Sequence, residues 1–372
     1  MIYWDNNATT PPAEEVVAAM LPYLRECYFN PSAAYASARK VKRAIEEARA
    51  QVAALVGAYP DEIIFTSGGT EATVAALSHF SKTLVLATEH PAALRTAKGA
   101  TCPVMRNGQI DLQTFKELLP EFDSVSFAWA NHETGVLQPA RSICLVAAEA
   151  GAQVHVDVVQ AAGKLPINLH ELPVDFASLS AHKIHGPKGV GALYVRRGVA
   201  FAPLVTGGAQ EDYRRAGTEN VPGIIGFGKA AQLAMQSFPQ YEALARLRAR
   251  FLQSVRSAGI EIEENGSAAA RLPHVFNVRV PGTSAESLFL LLEPLGLICS
   301  TGSACTSAEP EPSHVLRAMG MADAEARESL RFSMNRFTTE QEVDQAADIF
   351  IRAVRKVKSV QSAVTGPVMV YR

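Results

Sequence analysis

Long apolar runs are missing from this sequence, and so is a surplus of one charge. No stretch approaches the length of a bilayer-crossing helix, so no membrane association is expected. The formal net charge is -2. A nucleic-acid binder would carry a basic surplus, so direct nucleic-acid binding is not expected either. Cysteine is sparse: Cys27, Cys102, Cys144, Cys299 and Cys305. The number is odd and no Cys-x-x-Cys pair occurs, which argues against a disulfide framework and against a metal centre. A reducing, cytoplasmic compartment is the expectation. Met1-Ile-Tyr-Trp-Asp-Asn-Asn7 lacks the charged and apolar stretches of an export signal. Repeats and low-complexity tracts are absent, as are the Walker A and Gly-x-Gly-x-x-Gly phosphate motifs, so a nucleotide is not implied.

What the chain does have is a large apolar fraction. Of 372 residues 48% are hydrophobic and 19% charged, enough for two domains or for one large domain with a smaller appendage. Its organising stretch is Ser178-Leu-Ser-Ala-His-Lys183. An apolar run from Val174 to Leu179 ends in Ser180, His182 and Lys183, and a Gly/Pro turn leads to a second run, Gly191 to Val195. This reads as strand, turn, strand. A lysine at the mouth of a buried strand is desolvated, which frees its lone pair for a Schiff base with an aldehyde. An edge lysine at a hairpin is the plainer reading. Lys188, inside the turn, reads as solvated.

Along the chain, Asp5 to Pro12 reads as a polar loop before a helix near Ala13, and Asn30 to Tyr35 as a second loop. Lys40 to Val56 has helical periodicity and Gly57 ends it. Ile63 to Thr66 reads as a strand, Ser67-Gly-Gly-Thr70 as a tight turn, and Glu71 onward as a helix. A Gly-rich turn opening a helix offers N–H groups to an anion, so Gly69 and Thr70 are candidate phosphate ligands, against an ordinary helix entry. Further strands span Thr83 to Ala87, ending in Glu89 and His90; Ser124 to Ala130, ending in Asn131 and His132; and Gln153 to Asp157, with Gln160 just beyond. Ile143 to Ala150 reads as a helix. Taken singly, each polar residue has a plain structural explanation. Strands alternating with helices imply a mainly parallel α/β sheet, whose ligand sits off the C-terminal strand ends. Thr66 to Thr70, His90, Asn131, His132, Asp157, Gln160 and Lys183 all fall on that edge.

Helices are expected over Val221 to Gln236, Tyr241 to Ala258, Ala285 to Leu292 and Thr339 to Val357, with strands over Val275 to Val280 and Leu297 to Cys299. Cys299 lies in an apolar run, as a structural cysteine does. Cys305 lies instead among small residues, Ser300 to Ser307, a setting that can expose a sulfur nucleophile or hold a plain loop cysteine. Arg331 sits inside an apolar strand, where a guanidinium needs an anion, either a substrate carboxylate or a structural partner.

These stretches together resemble the cysteine desulfurases, within the class V fold-type I pyridoxal-phosphate enzymes. The resemblance rests on Asp5 to Thr10, Phe65 to Ala72, Glu89-His90, Asn131 to Gly135, His155 to Asp157 with Gln160, His182-Lys183 with Gly186 to Gly189, Arg215 to Asn220, Gly302 to Ser307, and Arg331 to Ser333. It implies an α/β fold with a large, mainly parallel sheet domain at 14–255 and a smaller α+β domain from 1–13 and 256–372. It implies pyridoxal 5'-phosphate held by Lys183, with Asp157 on the ring nitrogen, His90 stacked on the ring and Gln160 at its phenolic oxygen. Asn131 and His132 would also line the cofactor. Gly69, Thr70, Ser180 and His182 would bind the phosphate, with Thr218 supplied by the other subunit of a homodimer. Asn7 and Arg331 would bind L-cysteine. Lys183 and His90 would be catalytic, and Cys305 would take the sulfur as a persulfide, leaving alanine, for delivery to an acceptor protein in iron–sulfur assembly or thiolation. The family pattern differs here at Tyr35, at Thr73 and Val74 (where it has two asparagines), at His132 (where it has Asn), and at Asp212 and Tyr213. A selenocysteine or cystine lyase, an aminotransferase of the same class, and an inactive scaffold are the alternatives.

Overall fold

The computed structural model describes residues 1–267, 270–301 and 311–364, the side chains of 361–364 excepted. Cys305, expected as the sulfur nucleophile, lies outside the described residues. The chain divides into two compact units, one of residues 1–6, 133–135 and 240–372, the other of residues 7–132 and 136–239. Relative to the division expected from the sequence, the first unit takes up 133–135 and 240–255 and gives up 7–13.

Strand β1 (Ile2–Tyr3) opens the chain in the first unit. The second unit then runs α1 (Glu14–Arg25), α2 (Ala36–Leu55), β2 (Ile63–Thr66), α3 (Gly69–Leu77), β3 (Thr83–Leu86) and α4 (Pro91–Thr96). It continues with β4 (Gly99–Cys102), α5 (Leu112–Leu118), β5 (Ser124–Ala128), α6 (Ala140–Glu149), β6 (Gln153–Asp157), β7 (Phe176–Ser180), β8 (Gly191–Val195) and α7 (Val221–Met235). Its seven strands form one sheet in the order β2-β8-β7-β6-β5-β3-β4. The pairs β3–β4, β3–β5, β5–β6 and β6–β7 are parallel, and β8 runs antiparallel to both β2 and β7. The expected mainly parallel sheet is therefore present, with β8 as the reversed strand. β2, β5, β7 and β8 are buried at every position, which is why they read as continuous apolar runs rather than alternating ones.

The helices cover the sheet with apolar stripes. In α2 the buried positions Val41, Ile45, Ala48 and Val52 recur at helical spacing. Its neighbour α7 approaches very closely: a Cβ at Gly228 would lie 2.6 Å from the Ala48 Cα. Asn220 caps α7 by accepting from Gly223 N–H at 3.2 Å, and Pro222 occupies its first turn.

The first unit is built round Trp4, which is fully buried. Phe251, Phe276 and Phe332 meet its ring edge-on, with centroids 5.3, 6.2 and 6.1 Å away. Phe251 comes from α8 (Phe238–Ser257), Phe276 from β10 (Val275–Arg279) and Phe332 from β12 (Ser329–Ser333). β10 is the middle strand of an antiparallel sheet, between β12 and β9 (Glu263–Asn265). α9 (Ala285–Leu292) follows, then β11 (Leu297–Ile298), which pairs in parallel with β1. The short helices α10 (His314–Ala318) and α11 (Asp323–Ala326) precede β12, and α12 (Glu340–Val364) ends the described chain. α12 outruns its expected end at Val357. The buried positions Phe350, Val354 and Val357 recur at helical spacing, and Val360, the next apolar residue, is exposed.

Most sequence-based boundaries shift by a few residues where a side chain outside the local pattern decides them. α3 starts at Gly69 rather than Glu71, because the Glu71 carboxylate reaches back to Ser67 N–H at 2.8 Å. β1, just ahead of the Asp5 to Pro12 loop, is not anticipated from the sequence, and its partner strand lies almost three hundred residues away in sequence.

The second unit also contains a buried ion pair with no sequence signature. Glu211 accepts from both terminal nitrogens of Arg49, at 2.6 and 2.8 Å, and from Phe65 N–H at 2.9 Å. Glu211, Asp212 and Tyr213 follow one another with φ of 48°, 55° and 63°, a run of left-handed non-glycine residues that only strong tertiary anchoring sustains. Glu211→Ala leaves Arg49 buried without that anion, and we expect a loss of about 3–5 kcal/mol in denaturant unfolding. Asp212→Asn, at an exposed position, should stay within roughly 0.5 kcal/mol. Equal losses for the two would show that the ion pair does not hold this segment.

Candidate active site

The C-terminal edge of the large sheet gathers the residues singled out from the sequence. β6 ends in Asp157, β7 ends in Ser180 with His182 and Lys183 in the turn beyond, and β2 runs through the Ser67-Gly-Gly turn into α3. Asp157 and Ser178 are register partners on adjacent strands. His90 caps α4, its Nδ1 accepting from Ala92 N–H at 3.1 Å. Its ring meets that of His132 edge-on at 5.6 Å. Asn131 is buried and donates to the Thr88 carbonyl at 2.9 Å.

Lys183 is partly buried. Its Nζ donates to the carbonyl of Asn7 and, at 2.8 Å, to that of Ala8. Gln160 Nε2 donates to the same Asn7 carbonyl at 3.0 Å, and Asn7 Nδ2 donates to the His132 carbonyl at 3.0 Å. The second unit thus brings Asn7, His132, Gln160 and Lys183 together through one backbone oxygen and its neighbours. Lys188 is exposed, as the sequence implied.

The electrostatics are lopsided. Asp157 accepts from Val159 N–H at 2.8 Å. Burial nevertheless pushes its carboxyl up to about 6, with that hydrogen bond and the charge of Lys183 pulling it back. Burial lowers His182 to about 4, helped by Lys183, Lys188 and Lys164. Lys164 is brought down to about 7 by burial and by Lys183. Lysine charge therefore outweighs carboxylate charge here, and the imidazole is held neutral. Glu89, fully enclosed and accepting from Ala128 N–H at 2.8 Å, is raised well above the usual carboxylate range by burial and by Asp157.

Such an edge fits pyridoxal phosphate. A buried carboxylate drawn toward neutrality is stabilised as an anion by a protonated ring nitrogen, and an excess of cations beside the N–H groups of α3 suits a phosphate. The cup is tight: a Cβ at Gly69 would lie 2.9 Å from Val159 Cγ2 and 3.5 Å from Ser180 Cβ. Thr70 is exposed at the helix start and Ser180 is buried. Thr218 lines a cavity of about 250 Å³ with Thr66, Ser67 and Arg215. Among the described residues no cluster of His, Cys, Asp and Glu has the makings of a metal site, and no helix is long and apolar enough to cross a membrane.

In the first unit, Arg331 lies on β12 and its Nη2 donates to Asp5 at 2.6 Å. Its main chain exchanges hydrogen bonds with Ser300 at 2.7 and 3.0 Å. Glu133, also in this unit, accepts from Ser313 Oγ at 2.6 Å and Asn277 Nδ2 at 3.2 Å, and burial raises its carboxyl. The alternative of a structural anion for Arg331 is met by Asp5. Cys299 is buried and its thiol is raised by burial, as a structural cysteine's would be. Lys164, Glu89, Glu133 and Asp5 were not assigned roles from the sequence. Lys164 and Glu89 were readable in principle, as charged residues within or beside apolar runs.

A family model described as aminotransferase class-V matches residues 2–346, the class that this sheet edge and its lysine define. Among curated proteins, cysteine desulfurase 2 of Trichormus variabilis is 44% identical, over 97% of this chain and 94% of its own. Cysteine desulfurase IscS of Dictyoglomus turgidum is 40% identical, over 96% of each. Among solved structures, a NifS-like protein superposes with a TM-score of 0.89 at 33% identity, covering 95% of this chain and 99% of its own. A NifS-like protein from Rickettsia africae gives 0.87 at 30%, covering 95% and 99%. The chain belongs to the cysteine desulfurases of the class-V aminotransferase family.

The raised Asp157 carboxyl carries a stability consequence. Its folded pKa, about 6 against 3.8, means that folding disfavours the charged form. The cost is absent below about pH 4, grows as pH rises, and is complete above about pH 6. Asp157→Asn should therefore stabilise the cofactor-free protein at pH 8 by at most about 3 kcal/mol, with the gain shrinking through pH 6 and gone near pH 4. Thermal melts across that range test it. A gain independent of pH would mean that the Asp157 charge is not its source.

Proposed function

We propose that this protein converts L-cysteine to L-alanine with pyridoxal 5'-phosphate and leaves the sulfur on Cys305 as a persulfide. The observation that carries the reading is the placement of Lys183 and the buried Asp157 at the ends of adjacent strands, with the charge of Lys183 favouring the Asp157 anion. The bound cofactor supplies an electron sink for the substrate α-carbon.

The chain's own residues do the rest. Asp157 holds the proton on the ring nitrogen, His90 covers the ring face, and Gln160 donates to the phenolic oxygen. His132 takes the place of the usual asparagine beside His90 and keeps hydrogen-bonding capacity there. Gly69, Thr70, Ser180 and His182 hold the phosphate. The neutral His182 donates without adding charge to a site already rich in lysine. Arg331 and Asn7 bind the substrate, Arg331 through its carboxylate. Lys183 takes the α-proton and returns one to carbon.

The Cys305 thiolate attacks the substrate sulfur. The new S–S bond forms as the substrate C–S bond breaks, the electron pair of that bond ends on carbon with a proton, and alanine leaves. Thiol plus cysteine gives persulfide plus alanine, with no external oxidant or reductant. The persulfide then passes to an acceptor protein, for iron–sulfur assembly or thiolation. The working form is a cytoplasmic homodimer, with Thr218 reaching the phosphate of the other subunit.

Alanine and persulfide formation from L-cysteine decide the reading. Wild type should release alanine and carry a persulfide. Cys305→Ala should lose the persulfide and at least 100-fold in alanine release with a thiol acceptor, and Lys183→Ala should lose both and the yellow absorption. Alanine formation indifferent to Cys305, or pyruvate with ammonia, would instead point to a lyase.

A further inference from the structure

The sheet beneath the phosphate cup contains a buried polar chain that the catalytic roles above do not use. Thr73 Oγ1, on the first turns of α3, donates to Ser178 Oγ of β7 at 3.0 Å. Ser178 Oγ meets His155 Nε2 of β6 at 2.8 Å, and His155 Nδ1 meets Ser126 Oγ of β5 at 2.8 Å. All four side chains are buried, His155 and Ser178 completely.

The chain has a direction. A hydroxyl that already accepts from Thr73 has its own hydrogen to give, and Ser178 gives it to His155 Nε2. The imidazole proton then resides on Nδ1 and goes to Ser126. With Thr73 as the donor, this tautomer satisfies both serines, and burial, which drives the imidazole down to about 3, keeps the ring from taking a second proton.

The position of Thr73 matters more than its burial. It lies one turn along from Gly69 and Thr70, and Ser178 lies two residues before Ser180. Alternation along β7 puts Ser178 and Ser180 on the same face. The family pattern has asparagine where this chain has Thr73, so this hydroxyl link is a feature of the present sequence. The main chains around Asp157 and Ser180 are held by the strand ladders on either side, whereas α3 lies outside the sheet and is tied to β7 by the Thr73 link.

We propose that Thr73, Ser178, His155 and Ser126 form a positioning relay that fixes the phosphate-binding end of α3 against the strand bearing Ser180. The proposal rests on the cofactor reading above. It separates two parts of cofactor recognition: the relay governs the phosphate cup, whereas the ring contacts do not depend on it. Thr73→Val keeps the side-chain volume and removes the donor. Thr73→Ser keeps the donor.

The test titrates the cofactor-stripped full chain with pyridoxal 5'-phosphate and, separately, with pyridoxal, which has no phosphate, reading absorbance and fluorescence. Thr73→Val should weaken pyridoxal phosphate binding by tenfold or more and pyridoxal by less than twofold. Thr73→Ser should restore both to within twofold of wild type. Ser178→Ala, which breaks the same link from the strand side, should repeat the Thr73→Val pattern and stands in if that variant does not fold. Equal weakening of both ligands, or no change in either, overturns the relay while wild-type binding leaves the cofactor reading intact. A wild-type chain that takes up neither ligand overturns the cofactor reading, and the relay with it.

Discussion

The burial of one carboxylate beside one lysine governs the chemistry of the larger unit. Asp157 is driven toward its neutral form by burial and back toward its anion by Lys183. Neither influence alone would make a useful site. The Val159 N–H and the Lys183 charge both favour the anion of a carboxylate that burial would otherwise neutralise, and a solvated carboxylate would exert little field. The surrounding groups follow from that balance. Burial, with a smaller contribution from Asp157, raises the Glu89 carboxyl, and Lys164 is buried enough to be drawn toward neutrality. The residual positive charge at the head of α3 is what an anionic cofactor would compensate.

The parallel order of the sheet makes this concentration of charge possible. Strands running the same way bring their C-terminal ends to one edge, where the backbone must turn and polar side chains are tolerated. β8 is the exception. Its reversal lets β7 turn back on itself just after Lys183, so the lysine lies in a short turn anchored on both sides by buried strands. Several polar side chains inside the sheet are satisfied in pairs and chains. Ser126, His155, Ser178 and Thr73 bond to one another, which avoids the penalty of burying any of them alone.

The first unit solves a different problem with a different device. An aromatic cluster sits at the centre of its largely aliphatic core: Trp4 is enclosed by phenylalanines drawn from a helix and two strands. This explains how a two-residue strand at the N-terminus can be structural at all. Trp4, not the β1–β11 ladder, supplies the burial. Next to it Asp5 turns toward Arg331, so the residue that anchors the N-terminal strip is followed at once by one that orients a substrate-binding candidate.

The fold class and most of the candidate site were legible in the amino-acid order because they rest on local regularities. Apolar runs ending in polar residues located the strands and their functional ends, and helical periodicity located α2, α7 and α9. The turn Ser67-Gly-Gly-Thr70 and the position of Lys183 after a buried run were visible for the same reason. What required the tertiary structure were relations with no period and no spacing. Glu211 and Arg49 pair across 162 residues, β1 finds β11, and Asp5 meets Arg331. The protonation states of His182, Lys164 and Glu89 depend on how completely neighbouring elements exclude water. The direction of the His155 relay depends on which hydroxyl lies on each side of the ring. Sequence by itself determined which side chains could carry charge or donate a proton. Packing decided which of them would, because only burial and the distance to the next charge set the cost of each state.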